Sequence, residues 1–211
     1  MPFEADEAYF WAEKAAATGD IGARSLLAAY KYLGIGCPAD PRQALNLAGD
    51  LARNVEGAYL AKAVMAHLLY DGIVVEQDLD QARALAHQAA DQGVGLGQSL
   101  LAFIYYYGQN VAVNQSIAST WAYCASRQMD PYGLYFAAFV LFNGGDGVER
   151  DPVKALAYAY FAAQRIPNQA ESLMETIRNE LSPEELVQAT AVVNEMRTSW
   201  GFEIVEEAPA E

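Results

Sequence analysis

The sequence predicts an all-α protein, an α-α superhelix of about eleven helices stacked in antiparallel pairs. Three observations predict it. Apolar residues make up 53% of the 211 positions and charged residues only 19%, the balance of a chain that folds rather than one that stays disordered. Alanine is abundant, and the runs between helix breakers are too long for most strands. Four segments align with one another without a gap, and their alanines 44, 82, 118 and 155 recur at a nearly constant spacing in the range of helical repeat arrays.

The chain begins inside a repeat. Ala8, Trp11, Ala15, Ala16 and Gly19 stand at the spacing of the second helix of a pair, which predicts a lone helix over about 5–18. First-type helices follow over about 22–33, 58–71, 97–107 and 132–143, with Ala23, Leu27 and Ala28 in the first and Leu101, Ala102 and Tyr105 in the third as core positions. Each of these helices runs into a turn of one form. Gly34, Gly72, Gly108 and Gly145 each lead, six positions on, to Asp40, Asp78, Asn114 and Asp151. The glycine suits a left-handed residue that ends a helix. The Asp or Asn suits an N-cap, whose side chain accepts from an orphan N–H of the next helix. Pro41 and Pro152 then occupy the first helical position, where a missing N–H costs nothing. Two residues into the turn, Gly36, Asn110 and Gly147 again favour positive φ, whereas Val74 departs and predicts a local difference there.

The second-type helices repeat a face of their own. A large residue stands three past each alanine (Leu47, Leu85, Trp121, Tyr158). Small ones stand seven and eight past it (Ala89-Ala90, Ala125-Ser126, Ala162-Ala163, with Leu51-Ala52 a looser match), so that a neighbouring helix can approach closely. The last stretch leaves the pattern. A helix over about 168–180 is followed by Ser182-Pro183-Glu184-Glu185, a capping box that opens a helix over about 183–197. The domain reading is therefore repeats over 1–166, capping helices over 167–202 with Trp200 and Phe202 folding back over that end, and an acidic, disordered tail over 203–211.

These residues resemble the Sel-one-like repeat (SLR) family, a relative of tetratricopeptide repeats. The fourth copy carries Gly145, Gly147, Val148, Asp151, Lys154, Ala155, Tyr158, Ala162 and Ala163 of the family pattern. The third carries Leu101, Tyr105, Gly108, Val111, Ala118, Trp121 and Ala125. The family's Leu-Gly pair is mostly Leu-Ala or weaker here, so the copies are divergent. The resemblance covers about residues 5–166. It implies a right-handed superhelix and a non-catalytic scaffold or adaptor, often bacterial, that binds a protein or peptide segment in a concave groove lined by the first helix of each pair.

Offsets carried over from the related tetratricopeptide fold lie two before, two after and five after the core residue. From Leu27 they give Ser25, Ala29 and Tyr32, and from Met65 they give Ala63, His67 and Tyr70. From Leu101 they give Ser99, Phe103 and Tyr106, and from Ala138 they give Phe136, Val140 and Asn143. The expected groove walls are Tyr32, His67, Tyr70, Phe103, Tyr106 and Phe136, aromatic and nearly uncharged, which suits a partner segment bearing apolar or aromatic side chains. The competing reading makes half of them core.

The net charge of −14, from 27 acidic and 13 basic residues, disfavours nucleic acid and anionic membranes as partners. It favours a basic partner, and an immunity-type neutraliser of a basic effector is the alternative reading. No cofactor or metal is expected. His67 and His87 are the only histidines and match no metal spacing, and Cys37 and Cys124 read as two reduced thiols. Gly144-Gly145-Asp146-Gly147 is a turn rather than a phosphate cradle, and no nucleophile elbow appears, so a cell-wall or β-lactam hydrolase has no motif behind it. The N-terminus lacks the apolar run of a secretory leader, which gives a cytoplasmic expectation, or a periplasmic one had a leader been trimmed.

Overall fold

The computed structural model describes residues 5–145 and 147–200. Eleven helices lie among them: α1 (Ala5–Ala16), α2 (Ile21–Leu33), α3 (Pro41–Asn54), α4 (Tyr59–Asp71), α5 (Leu79–Ala90), α6 (Gly95–Tyr107), α7 (Gln115–Ser126), α8 (Pro131–Asn143), α9 (Pro152–Ala163), α10 (Pro167–Glu180) and α11 (Pro183–Ser199). Among the described residues the only β pairing is an isolated bridge between Gly145 and Val148. The helices pack in consecutive pairs. The chain divides into two compact units, an N-terminal one whose described residues are 5–114 and a C-terminal one over 115–200.

The turn chemistry explains where helices start and stop. Asp40, Asp78 and Asp151 each accept a hydrogen bond from the backbone N–H three residues on, at Gln43, Gln81 and Lys154 (2.9 Å each). The first-type helices carry caps that the repeat pattern did not flag. Asp20 receives Ala23 N–H at 2.7 Å, and Asp130 receives Gly133 N–H at 2.8 Å. At the other end, Gly34, Gly72 and Gly108 adopt φ of 73°, 66° and 67° and return their N–H to Tyr30, Leu68 and Ile104. The turn is then closed by one recurring bond. The cap N–H of Asp40, Asp78 and Asn114 reaches the carbonyl nine residues back, at Lys31, Leu69 and Tyr105.

The fourth turn differs from the sequence alignment. The residue that ends α8 is Gly144 (φ 68°, N–H to Val140), not Gly145, so this turn is one residue longer. Gly145 is used instead to pair with Val148, and Asp151 N–H reaches back ten residues to Leu141. Gly36, Asn110 and Gly147 have positive φ (67°, 52° and 83°), whereas Val74 is not among the positive-φ residues. In that turn the Gln77 side chain donates to the Tyr70 carbonyl at 2.7 Å.

Small residues set the helix separations within each unit. In the N-terminal unit a Cβ on Gly97 would lie 2.8 Å from Ala89 Cβ, so α6 rests against α5 at backbone distance. Gly133 of α8 meets Ala125 and Ser126 of α7 in the same way in the C-terminal unit. There α9 is the central helix. Ala157, Phe161 and Ala162 pack with Leu134, Ile166, Ala170 and Val193. Ala155, Leu156 and Ala159 pack with Ala138, Ile177 and Ala189. The α10–α11 pair thus covers the last repeat, and the expected capping box is present, with Ser182 and Glu185 bonded reciprocally. Trp200 packs edge-on against Phe161, ring centroids 5.0 Å apart. Phe202 and the acidic tail lie outside the described residues.

Candidate interaction surface

The first-type helices α2, α4 and α6 of the N-terminal unit lie side by side, each flanked by its neighbours, so most of each helix is covered. The tetratricopeptide offsets do not survive this packing. The position two before the core residue is buried in all four copies (Ser25, Ala63, Ser99, Phe136), and the position two after it is buried at Ala29, His67 and Val140. Two expected groove walls are therefore corrected. Phe136 has no exposed surface and stacks on Phe139 (centroids 5.8 Å apart), and His67 is 4% exposed. Four residues turn through roughly 400°, so positions two before and two after lie only about 40° apart, on the face opposite the core residue, and adjacent helices cover that face as well. Tyr32, Tyr70, Phe103 and Tyr106 are partly exposed. They belong to the last turn or two of their helices, where the chain emerges from between its neighbours.

His67 has a structural task instead. Its Nε2 lies 2.9 Å from the Leu96 carbonyl, which can only accept, so Nε2 carries the proton. Its Nδ1 is 3.2 Å from the Tyr32 hydroxyl, which donates to Asp71 Oδ2 at 2.8 Å. The single Tyr32 proton goes to the carboxylate, and the Tyr32 oxygen lies beside the imidazole Nδ1. Burial holds His67 below the ordinary histidine range, with the Leu96 carbonyl and the Asp71 charge acting the other way. His87 sits elsewhere, with Nε2 3.2 Å from the Tyr105 hydroxyl.

Two surface residues of this cluster were missed by the sequence offsets. Tyr107 is 51% exposed, stacks with Phe103 (centroids 6.3 Å, planes 16° apart) and meets Tyr106 edge-on (5.1 Å). Asp71 is exposed. Both are the last helical residue before the turn glycine, at Gly108 and Gly72. That position, readable directly from the repeat, is the signal that would have found them. Tyr70 joins the cluster: its hydroxyl is pushed above the usual tyrosine range by burial, then by Asp71 and Tyr107.

In the C-terminal unit an apolar hollow of about 170 Å³ lies between α7, α8 and α9, lined by Ala122, Tyr123, Val140 and Tyr158 among others. Ligand pockets commonly run from about 300 to 1,000 Å³, so it has room for one side chain at most. No helix among the described residues is long and apolar enough to cross a membrane.

Known proteins share the helical repeat fold. The chain is 31% identical over 158 residues to the Sel1-repeat-containing protein YjcO of Escherichia coli K12, covering 71% of this chain and 67% of that one. Its fold is similar to that of a protective antigen of uropathogenic Escherichia coli displaying an SLR fold. The TM-score is 0.58 at 23% identity, over 95% of this chain and 46% of the antigen, so the chain spans about half of that protein's length. A Sel1 repeat protein from Klebsiella pneumoniae gives a TM-score of 0.51 at 26% identity, over 81% of this chain and 84% of that one. The Sel1 repeat model itself matches residues 5–20, 22–48, 60–94, 95–128 and 131–165, in the phase set by the turn glycines and the caps. The chain belongs to the Sel1-repeat family.

Proposed function

We propose that this protein is a non-catalytic scaffold or adaptor that holds a segment of another protein on the ends of α2, α4 and α6. Sel1 repeats generally mediate protein–protein interaction and are typically a non-catalytic scaffold fold. The observation that carries the reading is the partly exposed aromatic cluster of Tyr32, Tyr70, Phe103, Tyr106 and Tyr107 on adjacent first-type helices. Aromatic side chains supply large contact area at low entropic cost, and interface hot spots are enriched in tyrosine.

The test is partner capture with Phe103→Ala and Tyr106→Ala, each checked by circular dichroism for an intact fold. Loss of capture by folded variants supports the reading. Folded variants that capture the partner as well as the wild type refute it, and variants that only unfold assign those side chains to packing.

A further inference from the structure

The aromatic cluster does not stand alone. The C-terminal ends of three packed helices, α2, α4 and α6, lie beside it, so the negative ends of their dipoles face this edge, with the Lys31, Leu69 and Tyr105 carbonyls already taken by turn N–H groups. The Asp71 carboxylate stands at the same edge, within electrostatic reach of the Tyr70 hydroxyl, and accepts the Tyr32 hydroxyl with one of its two oxygens. A carboxylate has about four lone-pair directions, so an exposed one has capacity for further donors.

Positive charge is sparse at these helix ends: of the three, only α2 carries a basic residue in its last turn, Lys31. The last turns of α4 and α6 contain no basic residue, and α6 carries no charged side chain at all. Neighbouring cations already have partners of their own. Lys31 lies over the Tyr9 ring (4.9 Å), Lys62 donates to Gln88 (2.9 Å), and Arg83 binds the Asn110 carbonyl (3.0 Å) and Asp80 (3.1 Å).

Ring faces, a carboxylate and helix C-termini together match one kind of side chain, a planar cation that can stack and donate in its own plane. A lysine or an apolar residue would use only part of this set. We infer that the surface formed by Tyr70, Asp71, Phe103, Tyr106 and Tyr107 recognises a basic segment of a partner protein, with an arginine stacked on the Phe103–Tyr107 pair and its guanidinium turned toward Asp71. This rests on the interaction reading above and gives it a partner chemistry. The charge of the whole chain, −14, acts in the same direction by drawing a basic partner in.

A random twelve-residue peptide library displayed on phage, selected against the full-length protein, tests it. The expected result is enrichment of arginine-containing peptides whose binding weakens about fivefold in Tyr107→Leu, which keeps the apolar bulk but removes the ring face, and recovers in Tyr107→Phe. Asp71→Asn is expected to weaken the same peptides about tenfold, as is replacing their arginine by citrulline, which keeps the shape and removes the charge. Peptides sensitive to Tyr107→Leu but not enriched in arginine overturn the basic specificity and leave the interaction reading standing. Selection of no peptide, or only of peptides indifferent to Tyr107→Leu and Tyr106→Ala, overturns both. A wild-type chain that dimerises through this face, with the dimer lost in Tyr107→Leu, makes a second copy the occupant and also overturns it.

Discussion

Gly133→Ala separates local propensity from packing, because the two predict opposite signs. Within a helix, Ala is favoured over Gly by about 0.8–1.0 kcal/mol. Gly133 is the third residue of α8, with a helical backbone and its N–H on the Asp130 cap, so propensity alone predicts a gain. The structure predicts a loss. A Cβ there would collide with Ala125 Cβ and lie 2.8 Å from both the Ala125 carbonyl carbon and the Ser126 nitrogen. Two of those obstacles are backbone, so α7 and α8 must separate, and overpacking of this kind costs about 1–3 kcal/mol. The net expectation is a loss of about 1–2 kcal/mol. For a chain of this size that lowers the melting temperature by about 2–8 °C in thermal unfolding followed by circular dichroism. Gly49→Ala is the control. Its Cβ would meet only Arg53 Nη2 at 3.7 Å and Leu45 Cδ1 at 3.8 Å, ordinary contacts with flexible side chains, so it should raise the melting temperature by about 2–4 °C. If Gly133→Ala melts at or above the wild type, close approach of α7 and α8 is not the reason for that glycine.

Other outcomes follow from the same structure. His67 has its folded pKa depressed by burial, so the unfolded chain binds the proton more readily. Its contribution is complete above the unfolded value of about 6.5 and is lost as pH falls below it, by up to about 1.4 kcal/mol at pH 5.5. Denaturant melts at pH 7.5 and 5.5 should show that loss in the wild type and not in His67→Gln, and equal pH slopes would refute it. Phe136→Ala should destabilise by about 3–5 kcal/mol, because the ring is fully buried, and a change below 1 kcal/mol in urea unfolding would return it to the surface. Asp78→Ala removes the α5 cap bond at 2.9 Å and should cost about 1 kcal/mol, read as a lower urea midpoint at unchanged slope.

Much of the fold is legible in the residues because its rules are local. A glycine at positive φ, an aspartate six positions later and a proline after that mark helix ends through bonds made within a few residues, so the helices begin and end close to where the spacing places them. Ser182 to Glu185 is the same kind of signal. The fourth turn was misread for a local reason too. Gly145 keeps the six-residue spacing to Asp151 and Gly144 does not, yet it is Gly144 that ends α8, with its N–H on the Val140 carbonyl.

What the sequence by itself determined is the repeat: an all-helical chain whose units are capped, turned and spaced alike, with small residues where helices touch. What only the tertiary structure decided is which aromatic residues remain at the surface. Phe136 and Phe103 are indistinguishable as letters at neighbouring repeat offsets, yet one is buried and the other stacks beside an exposed tyrosine. The physical reason is that burial of one face of a helix depends on the other helices laid against it, which the periodicity of that helix alone does not encode. The clustering of Tyr32, His67 and Asp71 has the same origin, since hydrogen bonds across 35 and 39 residues leave no periodic trace in the chain.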